Sequence, residues 1–81
     1  MERWNLSEGS RGDEGRICET RDVHSVSQRL VELGFVQGEW VRVERRSFFG
    51  DLIVSLSGTR VAVRAEEAKL IQVEKCSESH S

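Results

Sequence analysis

In the second half of this chain the large apolar residues recur at every second position: Val41 and Val43, then Leu52, Val54 and Leu56, then Val61 and Val63, and finally Ile71 and Val73. Successive side chains of a strand point to opposite faces, so each run reads as a strand with one face for a core and one for solvent. Ser57-Gly58-Thr59 reads as a tight turn that folds "LIVSLS" and "RVAVR" into an antiparallel hairpin, and Gln37-Gly38 as the turn that opens the run around Trp40. "RICET", residues 16 to 20, adds a short first strand with Ile17 facing in and Cys18 on the other face.

One segment breaks the period. Val26, Leu30 and Leu33 stand at i, i+4 and i+7, and Val31 widens that stripe, so "SVSQRLVELG" reads as a helix of about two to three turns. Ser25 with Gln28 forms a capping box at its start, and Gly34 ends it. "AEEAK", residues 65 to 69, is too short for a further helix and reads as a single 3₁₀ turn before the last strand.

The expected order is strand, helix, three strands, 3₁₀ turn, strand. Short antiparallel strands joined by tight turns favour a small closed or nearly closed barrel, because closure removes exposed edges. A mainly β fold follows, an SH3-like antiparallel barrel with one short inserted helix; a five-stranded OB barrel fits the same count. Residues 1–14 are polar and glycine-rich and read as a flexible arm, with Trp4 and Leu6 as the groups able to pin it. The barrel domain is expected over residues 15–74 and a disordered tail over 75–81.

Size and charge then restrict function. A chain of 81 residues forms one domain with a thin core. Hydrophobic residues make up 37% and charged residues 32%, a globular balance. No apolar run reaches the roughly 18 residues that cross a bilayer, and no signal peptide pattern opens the chain, so a soluble cytoplasmic protein without membrane insertion is expected. The net charge of −2 gives no global attraction to nucleic acid, and none is expected to bind. No Ser-His-Asp or Cys-His arrangement, P-loop or dinucleotide fingerprint is present, and the adjacent carboxylates Asp13 and Glu14 read as a solvated pair, so an enzyme is not expected.

Cys18, His24, Cys76 and His80 are ligand-type side chains, yet there is no CxxC pair, and unliganded side chains with no cofactor are the expectation. A transition-metal site at those four residues is the alternative. Arg42, Arg45, Arg46, Arg60 and Arg64 fall on neighbouring strands, as a solvated outer face or as a contact for an acidic partner surface or nucleic acid. Phe35 and Trp40 flank the turn after the helix and read as core closures first and contact residues second.

"RLVELGFVQGEWVRV", residues 29 to 43, resembles the signature of the FeoA family, a run of the form R-L-x-x-L-G-hydrophobic-x-x-G-x-x-V-x-V. "GDEGRI" resembles the family's entry into its first strand, and "GDLIVSLSGTRVAVRAEEAKLIQV" its closing half, so the likeness runs from about residue 6 to about residue 74. It implies an SH3-like barrel and a small cytoplasmic accessory protein of bacterial ferrous iron uptake. The implied partner is the cytoplasmic part of the FeoB permease, and the implied state is a monomer or weak dimer. The same module ends some metal-dependent repressors, so a metal-sensing or metal-binding domain is the alternative function.

The chain departs from the family where it lacks proline: Gln37 and Phe48 replace common prolines, and Leu52 replaces the one after Gly-Asp. The resemblance implies that Phe49 takes a leucine's place and caps the core, while Phe48 stands exposed beside Arg45 and Arg46. Phe35, Trp40, Arg45, Arg46, Phe48 and Phe49 are the candidate partner-binding residues.

Overall fold

The computed structural model of the protein describes residues 2–20 and 24–75, with side-chain environments for 2–18 and 28–75. Six strands and two helices alternate as β1 (Arg3–Asn5), β2 (Glu14–Thr20), α1 (His24–Leu33), β3 (Trp40–Arg46), β4 (Leu52–Leu56), β5 (Thr59–Val63), α2 (Ala65–Ala68) and β6 (Ile71–Lys75). All the strands join one antiparallel sheet in the order β1-β6-β2-β3-β4-β5. No pairing among the described residues links β5 to β1. The sheet is open there among the described residues, so the closed or nearly closed barrel expected from the sequence is not confirmed.

The alternation places the core as expected. Val41, Val43, Leu52, Val54, Leu56, Val63, Ile71 and Val73 are all buried, with Ile17, Leu30 and Phe35 beside them. Burial of one such side chain stabilises by about 1.5–3 kcal/mol, so the strands hold together through this shared face. The helix adds Leu30 and, at its edge, Leu33; Val31 is 51% exposed, so the stripe is narrower than the sequence reading made it. The Ser25–Gln28 capping box involves side chains outside the described residues.

Residues 3–14 depart from the expected flexible arm. β1 pairs with β6, placing Trp4 opposite Val73, and a 3₁₀ turn at Leu6–Glu8 drops Leu6 fully into the core. The Asn5 side chain accepts the Ser7 N–H at 3.0 Å and donates to the Lys69 carbonyl at 2.8 Å, tying this turn to the segment before β6. Trp4 on β1 and Leu6 in the core are the side chains that tie this segment to the rest of the fold. At the other end of the chain, Lys75 belongs to β6, and residues 76–81 lie outside the described residues.

Sequence chemistry shapes the middle of the sheet. β2 runs between β6 and β3, and a Cβ on Gly15 would fall 2.4 Å from the Glu74 carbonyl oxygen, so only glycine lets the strands approach there. The segment "AEEA" forms one α-helical turn instead of the expected 3₁₀ turn. Glu67 explains this: its carboxylate accepts the Arg64 N–H at 3.0 Å, satisfying a free donor at the helix start, and pairs with Arg29 of α1. Buried polar groups persist when partnered, and Glu67 joins the two helices over the core.

Candidate functional site

The loop between β3 and β4 presents the most exposed aromatic surface of the described residues. Phe48 is 96% and Phe49 84% exposed. Their rings meet edge to face, with centroids 5.3 Å apart.

Hydrogen bonding gives this tip its form. The Gly50 N–H donates to the Ser47 carbonyl at 3.0 Å and the Ser47 N–H to the Asp51 carbonyl at 2.8 Å. The Ser47 hydroxyl oxygen accepts the N–H groups of Phe49 at 3.2 Å and Asp51 at 3.0 Å. Asp51 in turn accepts the Ala65 N–H at 3.0 Å, anchoring the loop to the start of α2. Gly50, at φ +95°, takes the left-handed conformation that returns the chain to β4.

Phe48 and Phe49 therefore occupy the two central positions of a turn, where the pleat no longer sends neighbours to opposite faces. Both rings project. The expectation that Phe49 caps the core is overturned, while the exposed placement of Phe48 stands. Phe48 holds the second position of the turn, which suits the fixed φ of proline, consistent with a proline being common there. Gln37 has the same place in the turn closed by the Glu39 N–H and the Val36 carbonyl at 3.1 Å.

The other candidates scatter. Phe35 is 0% exposed and lies within the core, as its reading as a core closure expected. Trp40, 36% exposed, is no core closure; it stands on the outer face with the Arg16 guanidinium 5.7 Å from its ring centroid. Arg16 also donates to the Gly38 carbonyl at 3.1 Å. Arg46 reaches back to donate to the Gly9 carbonyl at 2.9 Å, bracing the hairpin against the N-terminal segment.

Arg45 and Arg60 flank a groove on the outer face of β3–β5, and Arg42 shares that face. Arg64 is the residue before α2 and is not among those lining the groove. Sequence reasoning missed Arg11, which enters the same groove because Gly12 donates its N–H to the Val43 carbonyl at 2.8 Å. Reading residues 1–14 as a free arm hid that contact. Glu44, at a bulge in β3, accepts the Ser55 hydroxyl at 2.6 Å. That bond is the main reason its carboxyl lies below the usual range; burial opposes it as the next effect, and the charges of Arg42, Arg60 and Arg11 lower it further.

Among the described residues no group of three or more His, Cys, Asp or Glu is placed to hold a metal. Cys18 is a half-buried free thiol at a bulge in β2, donating to the Gln72 carbonyl at 3.4 Å. The His24 side chain, Cys76 and His80 lie outside the described residues. Among the described residues no helix is long and apolar enough to cross a membrane.

Comparison with known proteins places this fold. A crystal structure of an iron uptake regulatory protein, FeoA, is 29% identical at a TM-score of 0.86, covering 93% of this chain and 100% of that one. The zinc complex of Stenotrophomonas maltophilia FeoA, described as a prokaryotic SH3 domain protein and a candidate ferrous iron transport activating factor, is 36% identical. Its TM-score is 0.74, over 85% of this chain and 87% of that one. A manganese-dependent transcriptional repressor, 22% identical, shares the fold at a TM-score of 0.83 over 91% of this chain and 42% of its own. A search of the curated proteins gave no match. The FeoA domain model matches residues 4–75, and the chain belongs to the FeoA domain family, which is associated with ferrous iron transport.

Proposed function

We propose that this protein is a non-enzymatic accessory of bacterial ferrous iron uptake that acts in the cytoplasm by docking on the cytoplasmic part of the FeoB permease, with the Phe48–Phe49 tip as the leading contact. The observation that carries the reading is that tip. A small domain leaves two adjacent phenylalanines almost wholly in water while the loop that bears them is held by a serine, an aspartate and a glycine. Fully desolvated aromatic side chains with nearby arginine are the residues that dominate binding energy at interfaces, and Arg45 lies at the base of this loop. A tip already ordered loses little entropy on docking.

Co-purification with FeoB, in the presence and absence of guanine nucleotide and ferrous iron, tests the proposal. Association that weakens on Phe48→Ala or Phe49→Ala supports it, and no association under any of these conditions overturns it.

A second reading follows from the zinc complex of the 36% identical FeoA. Here the chain binds a transition metal, with Cys18, His24, Cys76 and His80 as candidate ligands. Calorimetric titration with zinc, manganese and ferrous iron tests this directly. Binding that disappears in a Cys18→Ser, Cys76→Ser variant supports thiol ligation, and the absence of heat with all three ions dismisses it.

A further inference from the structure

β5 forms one free edge of the sheet, and its unpaired backbone lies beside a cationic groove. The two-residue Ser57–Gly58 connection, with φ of 52° and 84°, makes Leu56 and Thr59 the first hydrogen-bonded pair of the hairpin. Hydrogen-bonded and non-hydrogen-bonded pairs then alternate along an antiparallel ladder. Thr59, Val61 and Val63 therefore direct their N–H and C=O groups to β4, and those of Arg60 and Ala62 point outward. Among the described residues nothing bonds to these outward groups. Such an edge templates the addition of another strand unless something blunts it, and β5 has neither proline nor a bulge.

The outer face beside that edge has a definite chemistry. Arg45, Ile53 and Ala62 stand directly across from one another on β3, β4 and β5, giving a small apolar floor with an arginine at one end. The groove of about 460 Å³ over this floor also takes in Arg11, Arg60 and Glu44. Glu44 is occupied by the Ser55 hydroxyl. Three guanidinium groups thus surround one carboxylate, leaving an excess of positive charge in a protein whose net charge is −2.

We propose that the β5 edge and this groove together form a docking site for an acidic, extended peptide segment of a partner protein, which adds to the sheet as a further antiparallel strand. The outward groups of Arg60 and Ala62 supply main-chain hydrogen bonds, which bind any extended segment. Charge supplies the selection. A carboxylate opposite Arg60 forms a cross-strand ion pair, and the carboxylates two residues along on the same face enter the groove toward Arg45 and Arg11. A basic segment would instead face three arginines. The two sites share Arg45 but nothing else, so variants at Arg60 and Ala62 probe the edge while leaving the Phe48–Phe49 contact in place.

The test uses a fluorescein-labelled eight-residue peptide of alternating glutamate and valine, with a lysine–valine peptide as the charge control, read by anisotropy against the full chain. Two variants separate the contributions. Ala62→Pro removes an outward N–H that β4 does not use, a place where an edge strand tolerates proline. Arg60→Glu reverses the charge opposite the added strand. Binding of the acidic peptide that weakens at least about tenfold in each variant, with no binding of the lysine peptide, supports the proposal. Three outcomes overturn it: no binding of the acidic peptide, equal binding of both peptides, or full binding by Ala62→Pro with melting unchanged. Concentration-dependent dimerisation that Ala62→Pro abolishes would assign the edge to a second copy of the chain and also overturn it.

Discussion

The corner after α1 and the tip of the β3–β4 hairpin use the same side chain in opposite ways. The protein has three phenylalanines; Phe35 at the corner is fully buried, while Phe48 and Phe49 at the tip face water. At the corner, the Phe35 N–H donates to the Leu30 carbonyl at 2.9 Å, which turns the chain inward and places the ring among the strands. At the tip, serine and aspartate bonds close the loop without help from either ring. The contrast shows which aromatic surface the fold needs and which it leaves available.

The largest expected effect tests the buried side of this contrast. Phe35→Ala should cost about 3–5 kcal/mol, a large share of the roughly 4–12 kcal/mol typical of a domain of this length, and urea melts should show a chain close to unfolded. A loss below about 1 kcal/mol would mean that the corner is not the structural half of the comparison. Next in size is Glu67→Gln, which removes the charge partner of Arg29 and weakens the acceptor of the Arg64 N–H. Because Arg29 is half exposed, a loss of about 1–2 kcal/mol is expected in the same melts.

Why the two regions were unequally legible from sequence follows from their local chemistry. The core strands were plain because apolar residues at every second position leave few alternatives, and the buried faces of β3, β4, β5 and β6 lie where that period puts them. The tip misled because the resemblance put Phe49 in a leucine's place at the core, whereas Ser47 and Gly50 make the segment a turn. "SFFGD" carried that signal in its serine, glycine and aspartate. The N-terminal segment misled for a different reason. Its glycines and charges hid three short anchors: Trp4 opposite Val73, Leu6 in the core and Gly12 bonded to Val43. Each depends on a partner distant in sequence, which no local period reveals. The open edge at β5 was likewise hidden, because strand order is a property of the whole sheet.

The exposed half of the comparison predicts smaller changes in stability. Phe48→Ala and Phe49→Ala should each shift unfolding by no more than about 0.5 kcal/mol, since neither ring covers the core. The smallest effect concerns Glu44. Its carboxyl titrates lower in the folded protein than in the unfolded chain, so it favours folding above the ordinary carboxylate range, and that contribution disappears as pH falls through the folded value. Ser55→Ala should raise the Glu44 pKa in an NMR titration, and an unchanged value would show that the surrounding arginines alone set it.

The central claim is that the hairpin tip serves binding and not folding. The direct measurement is co-purification of a Phe48→Ala, Phe49→Ala double variant with FeoB, alongside its melting temperature. The account predicts an unchanged melting temperature with association lost or weakened at least about tenfold. Undiminished association, or a melting temperature lowered as far as that of Phe35→Ala, would contradict it.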